Sequence, residues 1–293
     1  MRQARCEVLS NRASGAYRSL TVVAPEIAEE ARPGQFIEIA VPDGREMLLR
    51  RPFSIHRASK RGGWTGTIEV VYDVVGKGTA WLESLARHDT IEVIGPLGRP
   101  FPLPPKPARC VLVGGGYGAA PLYFMAEELR GAGSQVHLVL GARSHERVFK
   151  PIDGRRLAHS VVITTDDGTM GARGIVTDVL PAVIGRTKAD VVYACGPNPM
   201  LRAVAEFCRR QRVPCQVAVE EMMACGLGVC WTCVVPVIGP RGGGWWNVRA
   251  CTEGPVFNGA RIWWDRWLGA AGAADAPGDG ESVERPPVAA RRT

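Results

Sequence analysis

The chain has no long apolar run. Nowhere in its 293 residues does an uninterrupted hydrophobic stretch approach the ~18 needed to cross a bilayer. No charged opening followed by an apolar segment is present, so no secretory leader is expected and a reducing, cytoplasmic setting is. Lysine and arginine bring the net charge to +7 without forming a basic block or interleaving with aromatic residues, which are only 7% of the chain. That is compatible with phosphate-bearing cofactors or an acidic partner and gives no nucleic-acid signature. A disulfide framework is missing too: Cys6, Cys110, Cys195, Cys208 and Cys215 are scattered without repeating spacing and are expected mostly as buried thiols.

The four remaining cysteines are ordered. Cys225, Cys230, Cys233 and Cys251 read C-x4-C-x2-C followed by a fourth cysteine after 17 intervening residues. This is the plant-type spacing for a [2Fe–2S] cluster. Gly226 and Gly228 allow a tight loop that turns backbone N–H groups towards cluster sulfurs. A zinc site usually shows two C-x2-C hooks and only one is present; disulfides suit a small secreted chain. The spacing therefore favours iron and sulfur, and with them a one-electron carrier.

Length and a 46% hydrophobic content suit two domains plus a smaller module. The first hundred residues read as short strands (5–10, 19–23, 35–41, 53–57, 66–74 and 90–94), a pitch that suggests a closed or nearly closed barrel. Ile37 and Ile39 alternate with Glu38, and Ile68, Val70 and Tyr72 with Glu69 and Val71. A short helix over 79–87 puts Trp81, Leu82 and Leu85 on one face. Five prolines between Arg99 and Pro107 then preclude a helix or central strand and predict a stiff connector. From Arg109 strands (110–113, 135–140, 161–165, 191–194, 216–219) alternate with helices (121–129, 175–184, 200–210), the pattern of a parallel α/β sheet. The expected division is a barrel over 1–100, a linker over 101–108, an α/β domain over 109–219, a cysteine module over 220–268 and a disordered tail over 269–293.

Four segments could carry cofactor chemistry. Gly114-Gly115-Gly116-Tyr117-Gly118 joins a strand to a helix, where amides and a helix N-terminus can approach a pyrophosphate; such turns also serve packing. The acid expected after the second strand of an ordinary dinucleotide fold is missing, since Gly141-Ala142-Arg143-Ser144 stands there. Either the pattern is false or the nucleotide sits differently. Cys195-Gly196-Pro197 ends the fourth strand at the sheet edge where ligands collect, or merely starts a helix. In the barrel, Arg50-Arg51-Pro52-Phe53-Ser54 offers an arginine fork and a hydroxyl, and Gly76-Lys77-Gly78-Thr79 offers amides and a hydroxyl to phosphate.

Taken in order, Arg51–Ser54, Gly78-Thr79, the Gly-Pro-Leu-Gly of 95–98, the glycine turn, Cys195-Gly196-Pro197 and the cysteine set resemble the ferredoxin–NADP reductase superfamily. Within it the chain is most similar to electron-transfer subunits of the two-subunit, NAD-dependent dihydroorotate dehydrogenases, over roughly residues 4–262, with Glu220–Gly226 and Cys251–Phe257 among the most specific stretches. The resemblance implies a six-stranded antiparallel FAD-binding barrel, a parallel-sheet nucleotide domain and a small [2Fe–2S] module. It gives Arg51 to the FAD pyrophosphate, Pro52, Phe53 and Ser54 to the isoalloxazine, Val71, Tyr72 and Asp73 to the flavin strand, and Gly78 and Thr79 to the pyrophosphate. Gly114, Gly115, Gly116, Gly118, Cys195, Gly196 and Pro197 would frame the nicotinamide dinucleotide, and this superfamily does without the ribose acid.

The activity implied passes electrons from the FMN of a separate catalytic subunit through [2Fe–2S] and FAD to NAD+, reversibly, in a heterotetramer serving pyrimidine biosynthesis. No catalytic acid–base residue is implied in this chain, and it has no room for a (β/α)8 barrel of about 250 residues. The alternatives are the same module serving another partner, such as a small subunit of an NADH-dependent ferredoxin–NADP oxidoreductase or a hydrogenase diaphorase-type subunit, and a non-catalytic redox sensor. Arg143 and Ser144 can receive a 2′-phosphate, yet the family preference is NAD. Asp73 departs from the basic or neutral residue common after the flavin-strand tyrosine. Trp245, Trp246, Trp263, Trp264 and Trp267 form either a docking surface or a cover for the module's core.

Overall fold

The fold was obtained as a computed structural model that describes residues 1–41, 47–60, 65–239 and 243–269; all of the expected tail but Gly269 lies outside them. Strands β1 (Arg2–Ser14), β2 (Tyr17–Val23), β3 (Phe36–Ile39), β4 (Arg51–Ser59), β5 (Thr67–Tyr72) and β6 (Thr90–Leu97) close into an antiparallel barrel in the order β1-β2-β5-β4-β3-β6. Each overlaps an expected strand. Alternation sets which side chains fill the barrel: Leu20, Ile37, Ile39, Ile55 and Ile68 are fully buried, each worth about 1.5–3 kcal/mol of transfer free energy. Helix α1 (Pro25–Glu30), too short for its period to be read from sequence, buries Ile27 and Ala28 in this core. Helix α2 (Lys77–Ser84) buries Leu82, with Trp81 and Leu85 half-buried beside it, as expected for that face.

The proline-rich connector is pinned at its start. Phe101 is buried against Tyr193 (ring centroids 5.5 Å apart, 86° between planes), its N–H donates to the Pro33 carbonyl, and Tyr193 Oη donates to the Pro102 carbonyl at 2.8 Å. Beyond it come β7 (Arg109–Gly115), α3 (Ala120–Gly131), β8 (Gln135–Ala142), α4 (Pro151–Leu157), β9 (Ser160–Thr165), β10 (Ala172–Arg173), α5 (Val176–Thr187), β11 (Val191–Cys195), α6 (Asn198–Gln211) and β12 (Cys215–Ala218). The last segment adds β13 (Val234–Ile238), paired with β14 (Trp245–Arg249), then β15 (Val256–Asn258) and α7 (Trp264–Leu268). Among the described residues the central sheet runs β10-β9-β8-β7-β11-β12-β15, parallel except for β15, which closes the edge antiparallel to β12. The cysteine-bearing segment thus contributes a strand to the central sheet.

Strand register lines up the carboxyl ends that carry the chemistry: Cys195 pairs with Gly114, Gly115 with Gly141, and Ala142 with Thr165. The barrel docks beside that edge through Tyr17, Val71, Ala119, Tyr123, Val148 and Phe149, which form one buried cluster. Phe124 of α3 joins the barrel core itself. A buried polar group reinforces the seam. His56 bonds the Ala120 carbonyl (2.7 Å), and Lys150 Nζ donates to His56 Nε2 (3.2 Å) and to Glu69 Oε1 (3.3 Å).

Candidate functional site

Two clefts meet at the junction of barrel and sheet. The first, about 290 Å³, is lined by Arg51, Pro52, Phe53 and Ser54 of β4, Val71 and Tyr72 of β5, and Asp73 and Thr79, with Cys195 and Gly196 across from them. The second, about 480 Å³, runs along the sheet's carboxyl edge and is lined by Gly115, Gly116, Gly118, Arg143, Gly196 and Pro197, among others. Tyr117, Gly118, Gly196 and Glu220 line both, so the clefts are continuous. Two of the sixteen expected cofactor residues of the barrel and the sheet edge line neither. Gly114 lies within β7, where a Cβ would meet that of Ala119 at 2.5 Å, a packing position. Gly78 lies one layer behind the first cleft, where a Cβ would stand 2.9 Å from Arg51 Nε. Its missing side chain lets the Arg51 guanidinium lie against the start of α2.

The first cleft suits a flat ring with a charged tail. Phe53 packs edge-on against Tyr72 (5.9 Å), and Arg51, whose Nη1 is anchored on the Leu49 carbonyl at 2.7 Å, brings a planar cation to one end. The Thr79 hydroxyl accepts the N–H groups of Val75 (2.9 Å) and Gly76 (3.1 Å), fixing its own turn. Asp73 pairs with Arg147 at 2.8 Å across the wall between the clefts. The Cys195 thiol is buried there; burial, with Glu220 adding to it, pushes it up to about 12, so it stays neutral. Glu220 is fixed by Asn198, whose Nδ2 donates to its carbonyl at 2.6 Å and whose Oδ1 accepts its N–H at 3.2 Å.

The cysteine loop forms the far wall. Glu221, Met223 and Pro255, which flank the cysteines in sequence, line the first cleft. Cys225 Sγ accepts the N–H groups of Leu227 and Val229, both at 3.4 Å, and Cys230 Sγ accepts the Thr232 hydroxyl at 3.1 Å. Gly226 (φ +65°) and Gly228 (φ +83°) hold the left-handed backbone this loop needs. Arg249 braces it: Nη1 donates to the Gly228 carbonyl at 2.6 Å, Nη2 to Glu253 at 2.9 Å, and the guanidinium stacks 4.6 Å over Trp231. Among the described residues no three ligating side chains converge on one point. The thiols instead meet as two pairs, Cys225 with Cys230 and Cys233 with Cys251. Two irons sharing four thiolates take two each, so the pairing and the amides aimed at sulfur fit a two-iron cluster. The Thr232 hydroxyl, through its hydrogen bond, lowers the Cys230 thiol and burial raises that of Cys251.

The other five cysteines are buried free thiols, as composition suggested. The tryptophans mostly cover the module: Trp264 is buried with its Nε1 on the Gly259 carbonyl (3.0 Å), Trp267 Nε1 donates to Glu221 Oε2 (2.9 Å), and Arg266 stacks 3.9 Å over Trp245. Either side of the exposed Cys230, Val229 and Trp231 are exposed apolar residues, as is Met222 nearer the start of the segment. Sequence reading missed Tyr17, Arg147 and Glu38. Arg147 follows the carboxyl end of β8, the one signal that marks it.

A barrel joined to a parallel sheet by continuous clefts, with a cysteine loop on the far wall, defines a ferredoxin reductase-like oxidoreductase with an appended iron–sulfur module. Residues 220–263 match the family described as the iron-sulfur cluster binding domain of dihydroorotate dehydrogenase B. The electron transfer subunit of dihydroorotate dehydrogenase B (NAD(+)) from Desulforamulus reducens is 38% identical over 244 residues, 83% of this chain and 90% of that one. Its counterpart from Bacillus caldolyticus is 41% identical over 246 residues, 83% and 91%. The chain belongs to this family of electron transfer subunits. Among solved structures, one of an NADH-dependent reduced ferredoxin-NADP oxidoreductase superposes with a TM-score of 0.75 at 32% identity, covering 90% of this chain and 92% of that one. A ferredoxin NADP+ reductase from Neisseria gonorrhoeae with bound FAD and NADP shares the fold (TM-score 0.57, 18% identity, 72% and 92% covered). No helix of the described residues is long and apolar enough to cross a membrane.

Proposed function

We infer that this chain is the electron transfer subunit of a two-subunit, NAD-dependent dihydroorotate dehydrogenase, carrying electrons from the FMN of a separate catalytic subunit through [2Fe–2S] and FAD to NAD+. One observation carries the reading. The first cleft shares four residues with the nucleotide cleft on one side and is walled by Glu221, Met223 and Pro255 of the cysteine segment on the other. A group held there stands between a dinucleotide and a cluster. A bound flavin supplies the conversion between hydride transfer and single-electron transfer.

The chain's residues bind, orient and exclude water. Arg51, backed by Gly78 and Thr79, would take the FAD pyrophosphate, with Pro52, Phe53, Ser54, Val71, Tyr72 and Asp73 along the ring and ribityl chain. Gly114, Gly115, Gly116, Gly118, Cys195, Gly196 and Pro197 would form the nicotinamide wall, Gly114 by packing. Cys225, Cys230, Cys233 and Cys251 would ligate the cluster. The Cys195 thiol, kept neutral by burial, would serve as wall and not as a proton donor or acceptor. The exposed Val229 and Trp231 beside Cys230 would form the contact face for the catalytic subunit. The domain limits (1–100, 109–219, 220–268, joined by 101–108) and a cytoplasmic site belong to the same proposal.

The 32% identity over 90% of this chain to the ferredoxin-NADP oxidoreductase structure favours one second reading, the same module on another partner. Co-purification with an FMN-bearing (β/α)8 chain, and dihydroorotate-dependent NAD+ reduction by the pair, separates the two. For the relay itself, NADH added anaerobically to the purified chain bleaches the flavin and produces the electron paramagnetic resonance of a reduced [2Fe–2S] centre. Cys230→Ser loses that resonance and keeps flavin bleaching. Zinc in place of iron, or no metal, would sink the reading.

A further inference from the structure

The glycine turn is filled by protein. A Cβ at Gly115 would lie 2.8 Å from Met200 Sδ, and one at Gly118 only 2.6 Å from the Gly196 Cα. These glycines let the Cys195–Pro197 loop close onto β7; they do not leave an open cradle. The helix that follows points elsewhere. A 3₁₀ turn (Gly116–Ala119) intervenes, and Ala120 and Pro121 at the start of α3 line the first cleft and not the nucleotide cleft. A dinucleotide in the second cleft therefore does not meet the start of α3; the starts of α5 (Ile175, Val176, Thr177) and α6 (Pro197, Pro199, Met200) line that cleft instead, and the cationic side chains decide where its charge is held.

Four charged side chains line that cleft: Arg143, Arg147, Asp166 and Glu220. Only the arginines can meet a phosphate, and they differ in how they are held. Arg147 Nη1 donates to Asp73 Oδ2 at 2.8 Å, and its guanidinium stands 6.0 Å from the Tyr17 ring centroid. Its carbonyl accepts the Tyr17 hydroxyl at 2.9 Å, and Phe149, two residues on, is buried between Tyr17, His56 and Tyr123. The segment bearing Arg147 is thus strapped to the barrel. A guanidinium carries five donors in a planar fork, and the bond to Asp73 uses one end of it. A cation positioned in advance loses little freedom on meeting its anion.

We propose that Arg147, held by Asp73 and Tyr17, binds the pyrophosphate of NAD(H). The ion pair across the wall then has a purpose: it fixes the dinucleotide's charged centre relative to the flavin cleft that Asp73 lines. Arg147 is a binding residue and Asp73 its positioning residue. The proposal rests on the reading of the second cleft as the NAD(H) site.

The test follows flavin bleaching in the purified, flavin-loaded chain with two donors: NADH and N-benzyl-1,4-dihydronicotinamide, which has no phosphate. Arg147→Ala raises the half-saturating NADH concentration roughly ten- to hundredfold, as for loss of a hydrogen bond to a charged group. The ratio of half-saturating NADH to that of the phosphate-free donor rises with it, and the limiting bleaching rate changes little. Arg147→Lys falls between, because lysine keeps the charge without the fork. Asp73→Asn raises half-saturating NADH severalfold and weakens its salt dependence less than Arg147→Ala does. Arg143→Ala is the comparison and has the smaller effect. An unchanged NADH dependence in Arg147→Ala, an equal rise for both donors, or a larger effect at Arg143 overturns the proposal. If neither donor bleaches the wild-type flavin, the NAD(H) reading falls and takes the proposal with it.

Discussion

Replacing Glu38 by glutamine should stabilise this protein, and more so as pH rises. Glu38 sits on β3 with no solvent exposure, and among the described residues neither carboxylate oxygen has a hydrogen-bond partner. A Cβ on Gly226 of the cysteine loop would stand 2.3 Å from its Oε1, so the loop lies directly on it. Burial pushes the carboxyl up to about 7 from 4.5, against the pull of Arg50 and Arg51. Arg50 is already paired with Glu92. At about 1.36 kcal/mol per pH unit, the interval from 4.5 to about 7 costs the ionised folded protein about 3 kcal/mol. The sign follows from linkage. A carboxyl whose folded pKa lies above its unfolded value favours the fold while protonated, and that advantage is lost as pH rises from about 4.5 to about 7. Glutamine keeps the shape and never ionises. Glu38→Gln should therefore exceed the wild type by about 3 kcal/mol at pH 8 and by about 1 kcal/mol at pH 5. In thermal unfolding the pH 8 gap corresponds to a midpoint roughly 6–12 °C higher. A variant less stable than wild type at pH 8, or a gap that ignores pH, would refute the reasoning: it would mean the carboxylate has a partner that pays for its burial.

Two further outcomes follow from named contacts. Gly118→Ala drives a Cβ into the backbone of Gly196 (2.6 Å to Cα, 3.0 Å to N), where nothing can swing aside; flavin bleaching by NADH should slow at least about tenfold, since a shift near 1 Å at a reacting centre costs on that order or more, while bound flavin absorbance persists. His56 is held well below its usual range by burial, with Lys150 adding to it and Glu69 opposing. A histidine kept neutral in the fold contributes stability above its unfolded pKa and loses it as pH falls below. The wild-type melting temperature should drop on acidification from pH 7 to 5 more steeply than that of His56→Gln, and parallel curves would contradict this.

How far the sequence was legible depends on what covers each strand. Period-two alternation set Ile37 and Ile39 apart from Glu38, and the two isoleucines do fill the barrel core while Glu38 does not join it. Alternation says nothing about whether an outer face meets water. The cysteine segment lies on β3, and the strap of 145–150 lies on β5, so Glu38, Glu69 and Val71 are buried or nearly so on the side a lone barrel would expose. The cysteine set was readable because ligation fixes spacing as well as residue type. Arg147 was not, because its role depends on Asp73 and Tyr17, 74 and 130 residues away along the chain.

The glycine turn shows the same limit from the other side. Its composition was read as room for a ligand or for packing; Met200 and Gly196 pack against Gly115 and Gly118 on one side, while Gly115, Gly116 and Gly118 line the second cleft on the other. Glycine spacing reports close approach without naming the visitor. The ribose acid missing after β8 belongs to the same logic. Besides the turn's own Gly115, Gly116 and Gly118, the second cleft is lined by the strand ends beyond it, where Arg143 follows β8 and Asp166 follows β9. Sheet topology, not the fingerprint, decides which side chains reach that edge.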